Sequence, residues 1–322
     1  MGWRSRGYEL ELSRADNVRH ERTGGAWVEW VEQRGEGDIR AMQSVVARLW
    51  SPGATRHIGD LAWERRHLPD RDRYWTSVVV REGGAVLGFA SVAADGELEI
   101  VADPVRPELA GALVQWSLRT AGGASLAASV SDAEPHLIAA LLEAGFAERP
   151  DAPYFVHMIR GLRHLPVPRV HPGVRFRASR GREDLERLWK GHQASWDRSR
   201  VSLQSLQAVT STWPYESALH IMAEDAGGRV LASAIAWWDA DNQVAEFEPV
   251  GTHRDFRRQG LASGVMIHAL HRLADRGARL AVVYARGDDA YPVPQKVYAR
   301  LGFEVAARTR TLAWAPHSHG PG

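Results

Sequence analysis

The chain has no cysteine among its 322 residues. That absence excludes disulfides, thiolate metal ligands and thiol nucleophiles, and with them any route in which the protein itself carries an acyl group as a thioester. Long apolar runs are missing too: none approaches the roughly 18–20 residues needed to cross a bilayer. The opening "MGWRSRGYELEL" lacks the apolar stretch of an export signal, and Gly2 is followed by Trp-Arg-Ser-Arg rather than an acylation pattern. The expected location is therefore cytoplasmic, with no membrane partner. Neither sign of charge predominates, since 40 Lys and Arg stand against 39 Asp and Glu. The arginines are scattered among acids, so the basic footprint of a nucleic-acid partner is not visible.

What is present is the balance of a globular protein, 44% apolar and 25% charged, in a chain long enough for two domains. Thirteen tryptophans is a high count, most of them expected in cores and between domains, with a minority available to line a pocket.

Two stretches repeat. "VREGGAVLGFASV" from Val80 and "AEDAGGRVLASAIAWW" from Ala223 each pass through a Gly-Gly turn into an apolar alternation, a β-hairpin signal. "LLEAGFAE" (Leu141–Glu148) and "YARLGFEV" (Tyr298–Val305) each end an amphipathic helix in glycine and enter a strand. The Gly-Gly elements lie 144 residues apart and the Gly-Phe elements 157, in the same order. Two such pairs predict two copies of one unit, residues 1–165 and 166–322, joined by the proline-rich "RHLPVPRVHPGV" (Arg163–Val174). Each copy reads as helices, hairpin, strand, helix, strand, helix, strand. The fold class is α/β (α+β): two tandem domains, each a mixed twisted sheet flanked by helices. In the second copy "VAARTRTLAW" is expected to close the sheet.

"FRRQGLASG" (Phe256–Gly264) follows a strand, Val244 to Val250, and opens a helix. A helix start leaves N–H groups unpaired at the positive end of the dipole, and glycine at 260 with alanine at 262 lets a ligand approach them. Arg257 and Arg258 add charge, so the stretch reads as a phosphate or pyrophosphate site. It lacks the Lys-Ser/Thr ending of a P-loop and the three spaced glycines of a dinucleotide fold. The plain alternative is a helix with a basic first turn, in which the arginines oppose the dipole.

"EFEPVGTHRDFRRQGLASG", followed by "VVYA" and "VYARLGF", resembles the GNAT superfamily of acyl-CoA-dependent N-acyltransferases. The resemblance rests on the R-x-x-G-x-G/A signature at Arg257, Gly260 and Ala262, and on Tyr298 before Leu-Gly-Phe. It covers residues 174–315 well and 75–160 as a decayed copy, an arrangement similar to two-domain members such as mycothiol synthase. It implies that Arg257, Arg258, Gln259, Gly260, Leu261, Ala262 and Ser263 hold the pyrophosphate of coenzyme A. It further implies that Val250 and Thr252 lie along the pantetheine arm, where "EFEPVGT" and "LAVVYA" splay apart. Arg254 departs from the family's frequent proline, and "GDDAYPVPQ" replaces its usual Asp-Asn-x-x-Ala. In the first copy "DPVRPELAGALV" offers Pro107, without an N–H, and the acid Glu108, so that copy is expected to bind no coenzyme A and to act as structure or as a wall of the cleft.

An amine attacking a thioester must lose a proton, and the leaving thiolate must gain one. Glu246 and Glu248 alternate along one strand and share a face, so either could take the amine's proton, or either could be a solvated acid. The sequence does not choose between them. Tyr298, a phenol protonated at neutral pH, could donate to sulfur, or could simply fill core above the sheet. His268 and His271 lack a third ligand and read as a solvated helix face; no metal is expected. "TSTWPYES" (Thr210–Ser217) could be an acceptor loop or a packed surface loop. These readings predict acetyl or other short-acyl transfer from acyl-CoA to the primary amine of a small molecule, by direct transfer in a ternary complex, in a monomer or homodimer. The acceptor could be an amino sugar, an amino acid derivative or an amine-bearing natural product, a mycothiol precursor among them. A degenerate acyl-CoA-binding or partner-binding module is the alternative.

Overall fold

Glycines set the hairpins. Gly83 and Gly84 take φ of +56° and +86° at the first Gly-Gly turn, and Gly228 takes +78° at the second, conformations that cost a side-chain-bearing residue strain. The computed structural model describes residues 18–34, 38–68 and 75–316. The first half runs β1 (Val18–Thr23), β2 (Ala26–Arg34), α1 (Ile39–Leu49), α2 (Ile58–Arg66), β3 (Trp75–Glu82), β4 (Ala85–Ala93), β5 (Glu97–Ala102), α3 (Pro107–Ala121), β6 (Leu126–Ser131), α4 (Pro135–Glu143), β7 (Ala147–Glu148) and β8 (Phe155–Gly161). After an irregular connection come β9 (Val174–Ala178), α5 (Leu185–Ser195), α6 (Leu203–Thr210), β10 (His220–Asp225), β11 (Val230–Asp239), β12 (Val244–Thr252), α7 (Leu261–Asp275), β13 (Leu280–Arg286), α8 (Val293–Arg300) and β14 (Glu304–Trp314).

The strands line up as β1-β2-β3-β4-β5-β6-β14-β8-β13-β12-β11-β10-β9, with β7 on β14. This is a mixed α/β arrangement of twisted sheets flanked by helices. Most neighbours are antiparallel; β5 with β6 and β12 with β13 are parallel. The order corrects one expectation. "VAARTRTLAW" does not close the second sheet alone: residues 304–308 pair with β8, and residues 309–314 pair with β6 of the first half. In return β8 lies against β13 over seven register pairs, Leu280↔Gly161 to Arg286↔Phe155. The halves exchange their last strands. A strand's own apolar pattern fits either sheet equally, so only the tertiary pairing decides.

A second device binds the halves. Helix α2, "IGDLAWERR", is buried nearly all round: Ile58, Leu61 and Ala62 are fully enclosed, as are the polar Asp60 and Arg65. Ala62 and Trp63 join Leu188, Leu206, Ile235 and Trp237 in one apolar cluster. Contact is close enough that a Cβ on Gly59 would lie 2.2 Å from the Trp237 ring, so only glycine fits there. The helix thus stands on β11 and β12, with its first turn over the strand that carries Glu246 and Glu248.

Among the described residues, no helix is long and apolar enough to cross a membrane.

Candidate active site

The parallel pair β12–β13 ends early. Ladder pairing runs from Val244↔Leu280 to Glu246↔Val282 and then stops, so the facing edges of both strands part. On its other side β12 continues against β11, with a bulge where Phe247 faces Ala236 and Val250 faces Ala234. The gap opens into a cavity of about 470 Å³, lined among others by Glu246, Glu248, Val250, Tyr284 and Tyr298.

Past the gap, β12 leads through a short 3-10 turn (Arg254–Phe256) to the stretch singled out from sequence. Arg258 and Gly260 adopt φ of +66° and +79°, and α7 starts at Leu261. The N–H groups of residues 257–263 donate to no other described residue. A Cβ at Gly260 would meet only the edge of His171, at 3.6 Å, so the approach to these donors is open. Seven unpaired donors at the positive end of a fifteen-residue helix match an anion such as a pyrophosphate. Arg257 behaves differently from expectation: its guanidinium donates to the Ser195 carbonyl at 2.7 Å and so ties the turn to α5. Val250 lines the cavity, while Thr252 lies on the β11 side of the strand's end, paired with Ala232.

In the first half the corresponding features are filled from within. Pro107 occupies the first turn of α3, and the Glu108 carboxylate at that helix start is held by Arg106 at 2.6 Å. Where β5 and β6 part beyond Leu98↔Ala128, Thr55 bonds Glu134 and the Ser131 N–H, and His136 Nε2 lies 3.0 Å from the Ala102 carbonyl. At the start of α3 the Val105 N–H donates to Asp103 Oδ1, the Arg106 N–H to the Asp103 carbonyl and the Leu109 N–H to the Arg106 carbonyl, while Pro104 and Pro107 have no N–H, so no comparable row of free donors stands there among the described residues. Coenzyme A is accordingly expected to bind once per chain; calorimetric saturation at two equivalents would contradict this. Gly260→Glu, which adds a carboxylate at the donor row and strain of about 1–2 kcal/mol from the positive φ, should abolish the binding heat and leave the protein folded.

The acids sit deep. Glu246 is fully buried, and Glu248 is half-buried on the cavity wall. Asp60, on α2 of the first half, brings a third carboxylate, so that one oxygen from each lies within 4.8 Å of the others. Among the described residues these are the one group with the composition to hold a metal ion. Burial pushes the Glu246 carboxyl up to about 8 and that of Asp60 up to about 7; Arg56, 2.8 Å from Asp60, pulls the latter back. Glu248 is also raised, by burial first and then by the two neighbouring acids.

His57 lies 3.1 Å from Glu246 Oε2 through Nδ1, and the same nitrogen accepts the Gly59 N–H at 3.1 Å as the cap of α2. A nitrogen that accepts from Gly59 carries a lone pair, not a proton. The proton in the Glu246 contact therefore belongs to the carboxyl, which donates. Burial agrees, since it lowers the imidazole to about 4. The pair is neutral at rest, and Glu246 Oε1 and His57 Nε2 are left buried without a partner among the described residues.

Tyr298 presents its ring to Phe303 and lines the cavity, and its hydroxyl bonds no described residue. Burial, and then the Glu248 charge, raise its pKa, so the phenol keeps its proton. Tyr284, a second phenol on the cavity wall, reaches toward the Ala54 carbonyl at 3.5 Å. Gln295, in the segment that departs from the family pattern, donates from Nε2 to the Arg286 carbonyl at 2.7 Å and fixes the end of β13.

Sequence reading missed His57, Asp60, Trp63 and Tyr284. The first three lie nearly 190 residues from Glu246 on a helix without an apolar stripe; Tyr284 was readable, as the aromatic in the strand facing Glu246. His268 and His271 are not a solvated face: His268 stacks on Phe176 of β9 at 4.8 Å, and His271 Nε2 lies 3.0 Å from the Pro166 carbonyl and docks the connecting segment. "TSTWPYES" is a packed loop. Trp213 lies under Arg40 at 3.4 Å, its carbonyl accepts from Gln43, and the loop does not line this cavity.

Residues 185–303 match the Acetyltransferase (GNAT) family model. Over 126 residues the chain is 31% identical to a mycothiol acetyltransferase of Corynebacterium aurimucosum, covering 38% of this chain and 36% of that protein. Over 154 residues it is 28% identical to a mycothiol acetyltransferase of Saccharomonospora viridis, covering 44% and 49%. The matched region thus spans less than half the length of these curated relatives. A tandem GNAT protein from the clavulanic acid biosynthesis pathway superposes with a TM-score of 0.59 at 19% identity, over 92% of this chain and 99% of that one. A GCN5-related N-acetyltransferase from Sphaerobacter thermophilus does so at 0.56 and 16%, over 88% and 95%. The chain has the fold of the GNAT-superfamily acetyltransferases, and the family's sequence pattern is carried by its second half.

Proposed function

We propose that the chain is an acyl-CoA-dependent N-acyltransferase that moves an acetyl or other short acyl group to the primary amine of a small molecule. Its halves, 1–165 and 166–322, act as two GNAT-like units, of which only the second binds acyl-CoA. The observation that carries this is the run of β12. Glu246 is its last residue paired with β13 and Glu248 stands just beyond, on the unpaired edge, whose far end leads into seven N–H donors at the start of α7 that are free among the described residues. Residues 257–263 would hold the pyrophosphate, with Val250 and Thr252 along the arm. Bound acyl-CoA supplies the thioester.

The protein's own groups move the protons. Glu246, or Glu248 beside it, takes the proton of the arriving ammonium, and the cationic amine itself favours the ionised carboxylate it needs. Tyr298, held protonated by burial, gives a proton to the departing thiolate. With no cysteine to carry the acyl group, transfer is direct. The names of the two curated relatives make a mycothiol-type amine one candidate acceptor.

Incubation with acetyl-CoA and an amine panel tests the proposal. Free thiol should appear in step with acetylated amine, and rates varied in both substrates should give intersecting double-reciprocal lines. Thiol release without acylated amine would sink the proposal, and parallel lines would refute direct transfer.

A further inference from the structure

One loop, residues 196–201 between α5 and α6, lines the cavity along its whole length. Its backbone is fixed at every step. Where it leaves α5, Arg254 donates to the Gln193 and Ala194 carbonyls, both at 3.3 Å, and Arg257 donates to that of Ser195. The Trp196 ring packs so closely on β12 that a Cβ at Gly251 would lie 2.3 Å from it. Asp197 is taken by Arg254 at 3.2 Å. Ser199 Oγ accepts the Val201 N–H at 3.2 Å, and the Val201 carbonyl accepts from the Trp189 indole at 2.9 Å. Two charged side chains of this held loop are left over. Arg198 and Arg200 line the cavity, exposed, and neither bonds nor pairs with a described residue. Arg198 also takes φ of +62°, a left-handed backbone that such a residue rarely adopts. Strain of that kind persists where surrounding contacts over-determine the chain, and it collects at binding sites.

Glu246, fully buried, and Glu248, half-buried, line the same cavity without an ion pair to a described arginine or lysine. The cavity is therefore polarised, with acids at its inner end and unpaired guanidiniums at its solvent end. A guanidinium presents a planar fork of donors that matches a carboxylate or a phosphate. We propose that Arg198 and Arg200 receive an acidic group of the acceptor, a carboxylate or phosphate carried on the same small molecule as the amine. The acceptor then spans the cavity, its ammonium toward the glutamates and its anion toward the loop. Arg254, which departs from the family's frequent proline, fixes the loop that bears the pair. This rests on the transfer reading above and narrows its acceptor to amines that are also acids.

Binding rather than turnover provides the test. The full chain, saturated with coenzyme A, is titrated calorimetrically with 4-aminobutanoate, 6-aminohexanoate and 3-aminopropylphosphonate. Butylamine and hexylamine serve as counterparts of similar length without the acid. At least one acid should bind about 10–10²-fold more tightly than its counterpart, the worth of hydrogen bonds to charged groups. The preference should shrink as ionic strength is raised. It should fall in Arg200→Gln and in Arg198→Asn, a residue that tolerates the left-handed backbone, and vanish in the double variant. Equal binding of acids and plain amines, no binding of any of the five, or a preference that survives in the double variant overturns the proposal. So does a double variant that loses coenzyme A and keeps the preference, which would assign the arginines to the cofactor's own phosphates. Substituting acetyl-CoA then reads transfer separately: an amino acid that binds through the arginines without releasing thiol contradicts the transfer reading and leaves the anion site intact.

Discussion

Glu246→Gln should lower turnover by about 10²–10⁴-fold, the usual worth of a general base, while the affinity for coenzyme A stays within a factor of about two. The substitution is informative because the carboxyl is protonated at rest. A glutamine amide presents the same donor to His57 Nδ1 that the protonated carboxyl does, so the local hydrogen bond survives and only proton acceptance is lost. In the native protein kcat/KM should rise with pH through the apparent value of the carboxyl cluster, about 8 for Glu246 with Asp60 near 7. Stability should move the other way. A carboxyl whose folded pKa is raised favours folding fully below its unfolded value and loses that contribution as pH rises through the folded value. Native stability should therefore fall as pH climbs from about 4.5 to 8, and the glutamine variant should melt higher than native at the alkaline end. His57 acts at the opposite end: its lowered value means that its contribution is present above about 6.5 and is lost as pH falls through 4. Full activity of the variant at every pH would remove Glu246 as base and leave Glu248 as the remaining candidate.

Tyr298→Phe should reduce turnover by about 10–10³-fold, from below the usual range of about 10²–10⁴ for a positioned proton donor to its middle, with KM for acyl-CoA hardly changed. The ring packs on Phe303 and is kept, and the hydroxyl has no described partner to strand, so melting should shift little. The loss should shrink with an acyl donor whose leaving thiol is more acidic, because such a group needs less help. A residual rate above one tenth of native would point instead to Tyr284, the second phenol on the same cavity wall, and the double variant would separate the two.

Local pattern made much of the second half legible. The Gly-Gly turn of the β10–β11 hairpin, the alternation of β11 and β12, and the apolar stripe of α7 each announce their element within a dozen residues. Three things could not be read that way. The exchange of β8 and β14 leaves no local trace, because side-chain alternation is the same whichever sheet receives the strand. Helix α2 is enclosed nearly all round by the two halves, with only Glu64 and Arg66 partly exposed, so it carries polar Asp60 and Arg65 inside and lacks the stripe that marks a surface helix. The pairing of His57 with Glu246 spans 189 residues and depends on that enclosure. Composition did say that a minority of tryptophans could line a pocket. It could not say that Trp63 and Trp196 from different halves would do so.

Amide hydrogen exchange with and without coenzyme A tests the central claim most directly. The N–H groups of residues 257–263 have no acceptor among the described residues and should exchange fast in its absence. Added coenzyme A should slow exchange there and along residues 247–252, and leave residues 104–112 at the start of α3 unchanged. Protection at 104–112, or none at 257–263 under saturating coenzyme A, would contradict the assignment of a single acyl-CoA site to the second half.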